Sequence, residues 1–518
     1  MGFLKSDLPT IDKDVWRAAD RSERLKLMAR HIAERGTGNP DVLHVVYALK
    51  VVLYMLGAIA FALTTNGIDG WADATTWWCE PIVLEKVVLW TLLFEVLGLG
   101  CGFGPLNGRV APPLGSPLYW LRTGTIRLPP WPQRIPFTTG DRRSPVDVAA
   151  YAALLIATLT ALLSDGTGPI DAPATPVGLI PTWKLATVVT LLAIAGLRDK
   201  VIFLAARGEV YGALTVAFLL PGLDMIVAAK IVMVAIWMGA ATSKLNRHFP
   251  FVVSTMMANN PLIRSKWLKR NLFRRHPEDL RPSWIPALLA HVGTVIELGM
   301  PPLLFFSHGG IVTRVAAALL ITLHLIILTA VPLGVPLEWN VFMIYGIGAI
   351  FLAHINVGIQ DISHPWFIAA LVVVLVGTVA VGHVWPRKVS FLPGMPLLRR
   401  KLGHFGVALH RLGQPEGRRR PSRAGVVAAQ VLRKALRQQG EGRVPSLHGL
   451  RVSIHVRSRA CGHDALRPCR PGRPGAGIHR CRGRNGRRLC RRLGIRRRPP
   501  PSGAARRGHA GALRIRAW

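Results

Sequence analysis

Charged residues are scarce in this 518-residue sequence, since only 18% of it is Asp, Glu, Lys or Arg while 50% is hydrophobic. A water-soluble protein of this length needs more charge than that to cover its surface. Acidic residues are the scarcest, with 27 of them against 65 Lys and Arg, which gives a net charge of +38. Such an excess is typical of nucleic-acid binding, but here the location of the basic residues argues against that function.

The basic excess is concentrated at the C-terminal end. Residues 399–518 contain 32 Lys and Arg against three acidic residues, whereas the first 398 residues contain 33 against 24 and carry a net charge of only +9. We therefore divide the chain into an N-terminal cytoplasmic segment (1–42), a transmembrane domain (43–398) and a basic tail (399–518).

Apolar windows long enough to cross a bilayer recur throughout the middle of the chain. About 30 Å of hydrocarbon requires roughly 20 helical residues, and lipid leaves helices or closed barrels as the possible spanning structures. These windows lack the alternation of strands, so the sequence predicts an all-α, polytopic membrane helix bundle of about ten transmembrane helices followed by a disordered basic tail. The predicted spans lie near residues 43–64, 83–103, 147–164, 184–203, 208–222, 224–242, 284–306, 311–332, 341–355 and 364–384.

The distribution of Lys and Arg between loops predicts the orientation. With a cytoplasmic N-terminus, the inside segments of residues 1–398 hold 28 basic residues, and only two lie at outer helix ends. Cytoplasmic loops carry this excess in multi-pass proteins. We expect a plasma-membrane protein with both termini in the cytoplasm.

The tail does not have the composition of a folded domain. Of its 32 basic residues 30 are Arg, in blocks such as "RRRPPP" with abundant Gly and Pro. Its cysteines include no Cys-x₂₋₄-Cys pair, which argues against a zinc site. Contact with RNA phosphates or anionic lipid is an alternative, but out-of-frame translation of a GC-rich gene explains the composition better. A back-translation of "RRKLGHFGV" shifted by one base gives the ordinary sequence Ala-Gly-Asn-Trp-Ala-Thr-Ser-Val. We expect no specific nucleic-acid partner.

Ionisable residues inside the predicted spans are candidates for function, because charge in hydrocarbon is costly. Glu95, Glu297 and His324 are predicted to lie at similar depth, slightly cytoplasmic of the midplane. Two carboxyl groups and an imidazole at one level could relay protons or act as general acid and base. The alternative is that they form buried ion pairs and hydrogen bonds between helices.

Lys244 ends an apolar run in "MGAATSKLNRHFPF" (238–251) and is either a cytoplasmic anchor or a reactive amine. Lys230, on the same predicted span, requires a carboxylate partner or water; Glu95 is a candidate by type and Glu85 matches its depth better. The predicted catalytic residues are therefore Lys244, His324, Glu297 and Glu95, and the predicted substrate-binding residues are Lys230, His291, Trp339 and Asn340.

Three segments have simpler interpretations. "GLGCGFG" (98–104) has the wrong spacing for a dinucleotide site and ends a predicted membrane helix, which favours close helix packing. The loop 116–134 mixes Tyr and Trp with Arg, a composition suited to the headgroup layer. Residues 12–34 could form an amphipathic helix on the inner surface or a plain solvated helix.

Long ungapped blocks carry a resemblance to a known family. "LPTIDKDVWR", "VVLWTLLFEVLGLGCGFGPL", "LYWLRTGTIRLPPWP", "LRDKVIFLAARGEVYGALT", "GAATSKLNRHFPFVVSTMM" and "GVPLEWNVF" resemble an uncharacterised bacterial multi-pass transmembrane family, domain-of-unknown-function family 3556, over residues 1–395. The resemblance stops at "KVSFLPGM", which favours the out-of-frame hypothesis.

Two short blocks are similar to the horizontally transferred transmembrane domain of vitamin K-dependent carboxylase-like proteins. "AATSKLN" would place Lys244 on that group's basic lysine, and "LHLIILTAVPLGVPLEWNVF" would place His324 on its histidine. Ile327 stands where that group has Asn, and a large lumenal domain is lacking, which argues against carboxylation.

The sequence predicts a membrane protein acting on a lipid or quinone-like apolar substrate in the inner leaflet. A proton-coupled transporter and a non-catalytic membrane scaffold are the alternatives, so whether the protein is an enzyme stays open. Membrane lipids are the expected partners; the sequence indicates no cofactor, no metal site and no oligomeric state.

Overall fold

The computed structural model describes residues 3–5, 12–36, 38, 40–100, 115–132, 134–329 and 337–384. The chain divides into two units, Met1–Ser458 and Arg459–Trp518, and the described residues all belong to the first. The predicted tail (399–518) therefore lies outside the described residues.

Helices account for almost all regular structure in the described part of the chain. The α-helices are α1 (Lys13–Ala18), α2 (Arg21–Arg35), α3 (Val42–Ala62), α4 (Ala74–Trp77), α5 (Pro81–Val96), α6 (Gly115–Trp120), α7 (Pro145–Leu162), α8 (Thr182–Arg198), α9 (Lys200–Ala205), α10 (Ala213–Ala217), α11 (Asp224–Lys244), α12 (Phe249–Asn259), α13 (Lys266–Asn271), α14 (Trp284–Phe306), α15 (Gly310–Leu328), α16 (Leu337–Gly346) and α17 (Pro365–Val384). Gly208–Gly212 and Ile347–Leu352 are π-helical, Ile359–Asp361 is 3₁₀-helical, and β1 (Phe273–Arg275) pairs antiparallel with β2 (Asp279–Pro282).

Five helices in the described residues are long and apolar enough to cross a membrane: α3, α7, α11, α14 and α15. Each coincides with a predicted span, which confirms the all-α membrane class. Four of the other five predicted positions hold shorter helices, such as α5 with 16 residues and α8 with 17. The fifth holds α17, whose apolar stretch is counted over Pro365–Val381. Ten spans therefore remain a prediction.

The exposure of these helices follows from their composition. α3 exposes apolar side chains such as Leu49 and Leu53 and buries only Tyr54 and Ala62, as a helix facing lipid does. α5 is mainly apolar and has no polar face, although it contains Glu85, Lys86 and Glu95, and all 16 of its residues are buried. A helix without a polar face is stable only when other elements surround it, and α5 packs against α3, α7 and the π-helical segment 208–212.

A second, smaller core lies where the N-terminal helix meets the segment between α11 and α14. α2 begins at a capping box formed by Asp20 and Glu23, in which each side chain accepts a hydrogen bond from the other's backbone. Ala33 of α2 is buried in a cluster with Phe251 of α12 and Phe273 of β1. α2 therefore packs against α12 and β1. Neither an amphipathic helix on the membrane surface nor a plain solvated helix, the two alternatives for residues 12–34, describes it fully.

Buried ion pairs fasten the loop after α6 to the ends of α7 and α8. Asp147 accepts hydrogen bonds from Arg127 at 3.1 Å and Arg198 at 2.6 Å, and Arg143 donates to Asp199 at 2.5 Å. Arg127 is only 2% exposed. Arg127 is therefore bound by the carboxylate of Asp147 inside the protein, and the expectation that this loop lies in the headgroup layer stays a prediction.

Candidate functional site

Lys244 is held in an ion pair. It is the last residue of α11, and its ammonium donates a hydrogen bond to the carboxylate of Glu297 on α14. The two side chains are 14% and 4% exposed, and the ring of Phe249 lies 5.7 Å from the Lys244 Nζ atom. The amine is thus a charged donor in a largely shielded site.

The pair lies more than half way along α14, which is one of the candidate membrane spans. Glu297 comes 13 positions after Trp284, the first residue of α14, which is about 20 Å at 1.5 Å per residue. α12 continues beyond Lys244 and packs along α14. Lys244 is both the last residue of α11 and one half of an ion pair, so its two predicted roles, cytoplasmic anchor and reactive amine, stay predictions.

His324 on α15 is fixed by two neighbours. The indole N–H of Trp237 donates to His324 Nε2 at 2.9 Å, and His324 Nδ1 lies 2.9 Å from Asn340 Oδ1. Because the indole nitrogen can only donate, Nε2 accepts and Nδ1 carries the hydrogen that goes to Asn340. Both ring nitrogens are therefore engaged, which weakens the prediction that His324 acts as a general base.

These five residues form what we term the lysine cluster: Lys244, Glu297, His324, Trp237 and Asn340. The Lys244 ammonium is close enough to interact electrostatically with the His324 ring. The structure thus brings together three of the four predicted catalytic residues and one predicted substrate-binding residue, contributed by four helices.

Glu95, the fourth predicted catalytic residue, belongs to a different group. Its Oε1 accepts a hydrogen bond from Arg207 Nε at 2.5 Å, and its carboxyl group is close enough to interact with that of Glu338 on α16. Both carboxyl groups are fully buried, with exposures of 1% and 0%. Two carboxyl groups form a hydrogen bond only when one of them carries a proton.

The backbone around Arg207 is irregular. α8 ends at Asp199, which has an extended conformation, and Arg207 has a left-handed φ of 48° immediately before the π-helical segment 208–212. A non-glycine residue with positive φ is uncommon, and π-helical turns occur often at functional sites. This break turns the guanidinium of Arg207 toward Glu95.

Aromatic rings complete this group. The Arg207 guanidinium carbon lies 5.1 Å from the centre of the Trp339 ring, and Tyr211 packs edge-on against Trp339 and Phe342. The Tyr211 hydroxyl is fully buried and has no hydrogen-bond partner among the residues that the structure describes. We term Glu95, Glu338, Arg207, Tyr211 and Trp339 the carboxyl cluster.

Gly100 closes one side of the carboxyl cluster. A Cβ atom at this position would collide with the Glu95 carboxylate and lie 3.1 Å from Glu338 Oε1. Its carbonyl accepts a hydrogen bond from Lys50 at 3.1 Å. The described part of "GLGCGFG" therefore makes room for two carboxyl groups, which is a different role from the predicted helix packing.

Lys230 binds backbone carbonyls instead of the predicted carboxylates. Its Nζ donates to the carbonyl oxygens of His354 and Val357, each at 2.7 Å. Glu85, one predicted partner, instead accepts a hydrogen bond from the backbone N–H of Ile180 at 2.8 Å. Lys230 satisfies carbonyls that follow the π-helical end of α16, as a positive charge at a helix C-terminus does.

Asp224, one and a half turns before Lys230, makes the complementary contacts. Its carboxylate accepts backbone hydrogen bonds from Ser363 and His364 at 2.8 Å, and the His364 ring lies 2.6 Å away. These N–H groups stand at the start of α17. Asp224 and Lys230 thus hold both ends of the connection 353–364, so Lys230 has a structural role in these contacts.

Of the predicted substrate-binding residues, His291 lies outside both clusters and Trp339 lies in one of them. The His291 side chain is exposed on α14, whereas Glu297 on the same helix is buried. Six residues correspond to a rotation of about 120° between the two side chains. His291 therefore points away from the lysine cluster, while Trp339 lies in the carboxyl cluster.

Sequence analysis missed the main partners in both clusters. Arg207 was counted only as a basic residue of an inside loop, and Glu338 lies in a quoted block without being singled out. Trp237, which lies between Lys230 and Lys244 on α11, is not among the predicted site residues. Two signals in the sequence could have identified Arg207 and Glu338: Arg207 directly precedes a glycine, and Glu338 is an acidic residue next to Trp339. Among the described residues, no group of three or more His, Cys, Asp or Glu could hold a metal ion.

Comparison with known proteins gives one match. A family model described as "Transmembrane protein of unknown function (DUF3556)" matches residues 1–420. The match continues past residue 395, where the resemblance was expected to end. No curated protein and no solved structure matches the chain.

Proposed function

The chain belongs to this family of transmembrane proteins of unknown function, and we propose that it is a proton-coupled transporter whose proton-binding site is the carboxyl cluster. One observation carries the proposal: the buried carboxyl groups of Glu95 and Glu338 interact with each other beside a single guanidinium, that of Arg207. Two carboxylates and one guanidinium carry an unbalanced negative charge, and one proton removes it.

Proton uptake and release at this site would change its internal contacts. With the proton bound, the two carboxyl groups attract each other; without it, two buried like charges repel strongly in a low dielectric. Glu338 stands at the start of α16, and Arg207 stands where α9 meets a π-helical turn. Repulsion would act on these broken segments, and discontinuous helices are where transporters bind their ions.

The contacts favour this function over catalysis on a lipid or quinone-like substrate. Lys244 is bound by Glu297, and His324 has both ring nitrogens engaged. Neither group is available as a base in this arrangement, and Glu95 lies in the other cluster. The lysine cluster instead fits a fixed ion pair that joins α11 to α14.

Infrared difference spectroscopy of the purified protein in lipid tests the shared proton. Raising the pH should remove the C=O band of a protonated carboxyl in the wild type, and this change should be absent in Glu95→Gln and Glu338→Gln. Glu297→Gln is the matched control, because an ion-paired carboxylate contributes no such band. Absence of the band in the wild type would refute the proton site.

Hydrogen exchange on the same proteins tests the coupling. Amides of residues 199–212 should exchange faster when the proton is lost, in the wild type and in Glu297→Gln. In Glu338→Gln, in which like-charge repulsion cannot arise, exchange should change with pH only as the intrinsic base-catalysed rate does. If amide exchange in residues 199–212 depends on pH equally in all three proteins, the protonation of the carboxyl cluster is not coupled to a conformational change there.

For the location we propose a plasma membrane with the 243–283 segment in the cytoplasm. The excess of basic residues in this segment over 65–82 supports that orientation. Single cysteines introduced at exposed Trp71 and Arg264, in a background in which all six native cysteines are replaced by serine, should react with an impermeant reagent from outside only at position 71. Labelling at position 264 would reverse the orientation.

A further inference from the structure

We propose that residues 261–275, together with Trp284, form a binding surface for anionic lipid headgroups at one face of the membrane. This segment connects α12 to the β1–β2 hairpin and includes α13. The proposal is independent of proton coupling, because it uses none of the residues in the two clusters.

Charge is the first argument. "PLIRSKWLKRNLFRR" (261–275) contains six basic residues and no acidic residue. Lys266 and Arg270 are both exposed and are four positions apart on α13, so their charges lie on one face of the helix. Basic residues at a membrane surface each contribute about 1 kcal/mol of attraction to anionic lipid. The segment is therefore complementary to a negative surface.

Exposed apolar side chains lie among these charges. Leu262 and Trp267 are 72% and 73% exposed. A large exposed aromatic between Lys and Arg side chains is unfavourable in water but is typical of the headgroup layer, where the ring and its N–H meet different surroundings. The exposed side chains of Leu262 and Trp267 therefore favour a lipid surface over nucleic acid as the partner of this segment.

Continuity with the lipid-facing surface of α14 places this segment at the interface. Trp284, Leu288, Val292 and Val295 all are exposed and follow one another along a single face of the helix. That stripe faces hydrocarbon if α14 crosses the membrane, and Trp284 marks its end. The 261–275 segment comes shortly before Trp284 in the chain, so it lies near the level of the headgroups.

The surface is held on a packed base. Leu272 and Phe273, which follow α13, are buried in the small core with Ala33, and Ser283 bonds the carbonyl oxygen of Asn271 at 2.6 Å. The ordering of the basic side chains is therefore partly provided by folding, which lowers the entropic cost of binding lipid headgroups.

Lipid retention by the full-length protein tests the proposal. The purified protein is equilibrated in mixed micelles of phosphatidylglycerol and phosphatidylcholine with identical chains, and the bound lipids are quantified by mass spectrometry. We expect an excess of bound phosphatidylglycerol in the wild type. The ratio should fall about 25-fold in Lys266→Gln/Arg270→Gln, since about 1 kcal/mol per charge corresponds to about fivefold for each of the two charges removed.

Two controls make the result specific. Lys184→Gln/Arg314→Gln also removes two positive charges, but from helix ends that are predicted to lie at the other face of the membrane. This variant should keep the wild-type ratio of bound phosphatidylglycerol to phosphatidylcholine. Lys266→Arg/Arg270→Lys retains the charge and should also keep it. An unchanged ratio in the glutamine variant, or an equal fall in the Lys184/Arg314 variant, would overturn the proposal.

Fluorescence gives a second measurement that does not depend on charge. In nanodiscs containing lipid brominated near the headgroup, part of the tryptophan emission should be quenched, and Trp267→Phe should remove a share of the quenched component. Trp120→Phe, in which a buried ring is replaced, is the control and should not reduce that component. A Trp267→Phe protein quenched as strongly as the wild type would contradict insertion of this ring.

Discussion

The Lys244 ammonium at the end of α11 binds the Glu297 carboxylate about 20 Å along α14 from its first residue. The two charges are shielded from solvent on the same level of two packed helices. Each therefore depends on the other, because a buried charge without a partner is far less stable than the pair.

Removal of one partner of this pair should destabilise the protein strongly. We expect Lys244→Ala and Glu297→Ala each to cost about 3 to 5 kcal/mol, because each leaves an uncompensated buried charge. The double variant Lys244→Met/Glu297→Leu should lose much less than the sum of the two. Thermal unfolding in detergent measures all three, and additive losses would show that the two groups do not interact.

Substitution of Gly100 should disturb the carboxyl cluster. In Gly100→Ala the added methyl meets the Glu95 carboxylate and Glu338, and overpacking of this kind costs about 1 to 3 kcal/mol. The infrared band of the shared proton should shift or disappear. Gly299→Ala is the control, because a Cβ there has no neighbour within 4 Å and α14 is helical. Equal effects at both positions would rule out a specific contact.

The connection 353–364 should loosen when either of its supports is removed. Asp224→Asn and Lys230→Met each leave buried backbone groups with weaker or no partners, at about 1 to 3 kcal/mol. Hydrogen exchange should accelerate in 353–364 but not in α14. Lys86→Met provides a matched comparison, since Lys86 donates to the Phe61 carbonyl elsewhere in the bundle. Faster exchange at 353–364 in that variant would point to a general loss of stability.

The β1–β2 hairpin should become less stable in acid. Burial, the largest influence, lowers the pKa of His276 below its ordinary value of 6.5. The unfolded form therefore takes up a proton first, so stability is complete above about pH 6.5 and falls as the pH decreases toward the folded-state pKa. The protection of amides 273–282 against hydrogen exchange, relative to the unfolded chain, measures this loss of stability when it is compared at about pH 7 and about pH 5.

His276→Gln should remove most of that pH dependence from the hairpin. His291→Gln is the comparison, because its side chain is exposed on α14. A hairpin whose exchange changes equally with pH in both variants would exclude His276 as the titrating group.

The sequence predicted the helices well because apolar periodicity depends on local residues. A described helix stands at each of the ten predicted positions. Their lengths were overestimated at 184–203, where hydropathy continues across Asp199 although the helix does not, and at 208–222, where a π-helical segment is followed by α10, which ends at Ala217. The side chain of Asp199 caps α9, and the positive φ of Arg207 ends that helix; composition averages do not detect either event.

The site was predicted in part, because residue type identifies costly charges but not their partners. Glu297 and Lys244 were both proposed, yet their pairing depends on how α11 packs against α14. Helical periodicity alone is enough to place His291 and Glu297 on different faces of α14. Glu95 contacts Arg207 and Glu338, and each of these residues is more than 100 positions away from the other two in sequence. Sequence spacing alone could therefore not reveal the contact.

The docking of α2 onto residues 249–283 has a consequence for biosynthesis. Ala33 leaves the ribosome long before Phe251 and Phe273, its neighbours in the small core. At about 5 to 20 residues per second, the N-terminal helix waits on the order of ten to forty seconds for its partners. During that interval its apolar side must be shielded by the membrane surface or by a chaperone, and the emerging spans must leave it on the side where residues 249–283 will arrive.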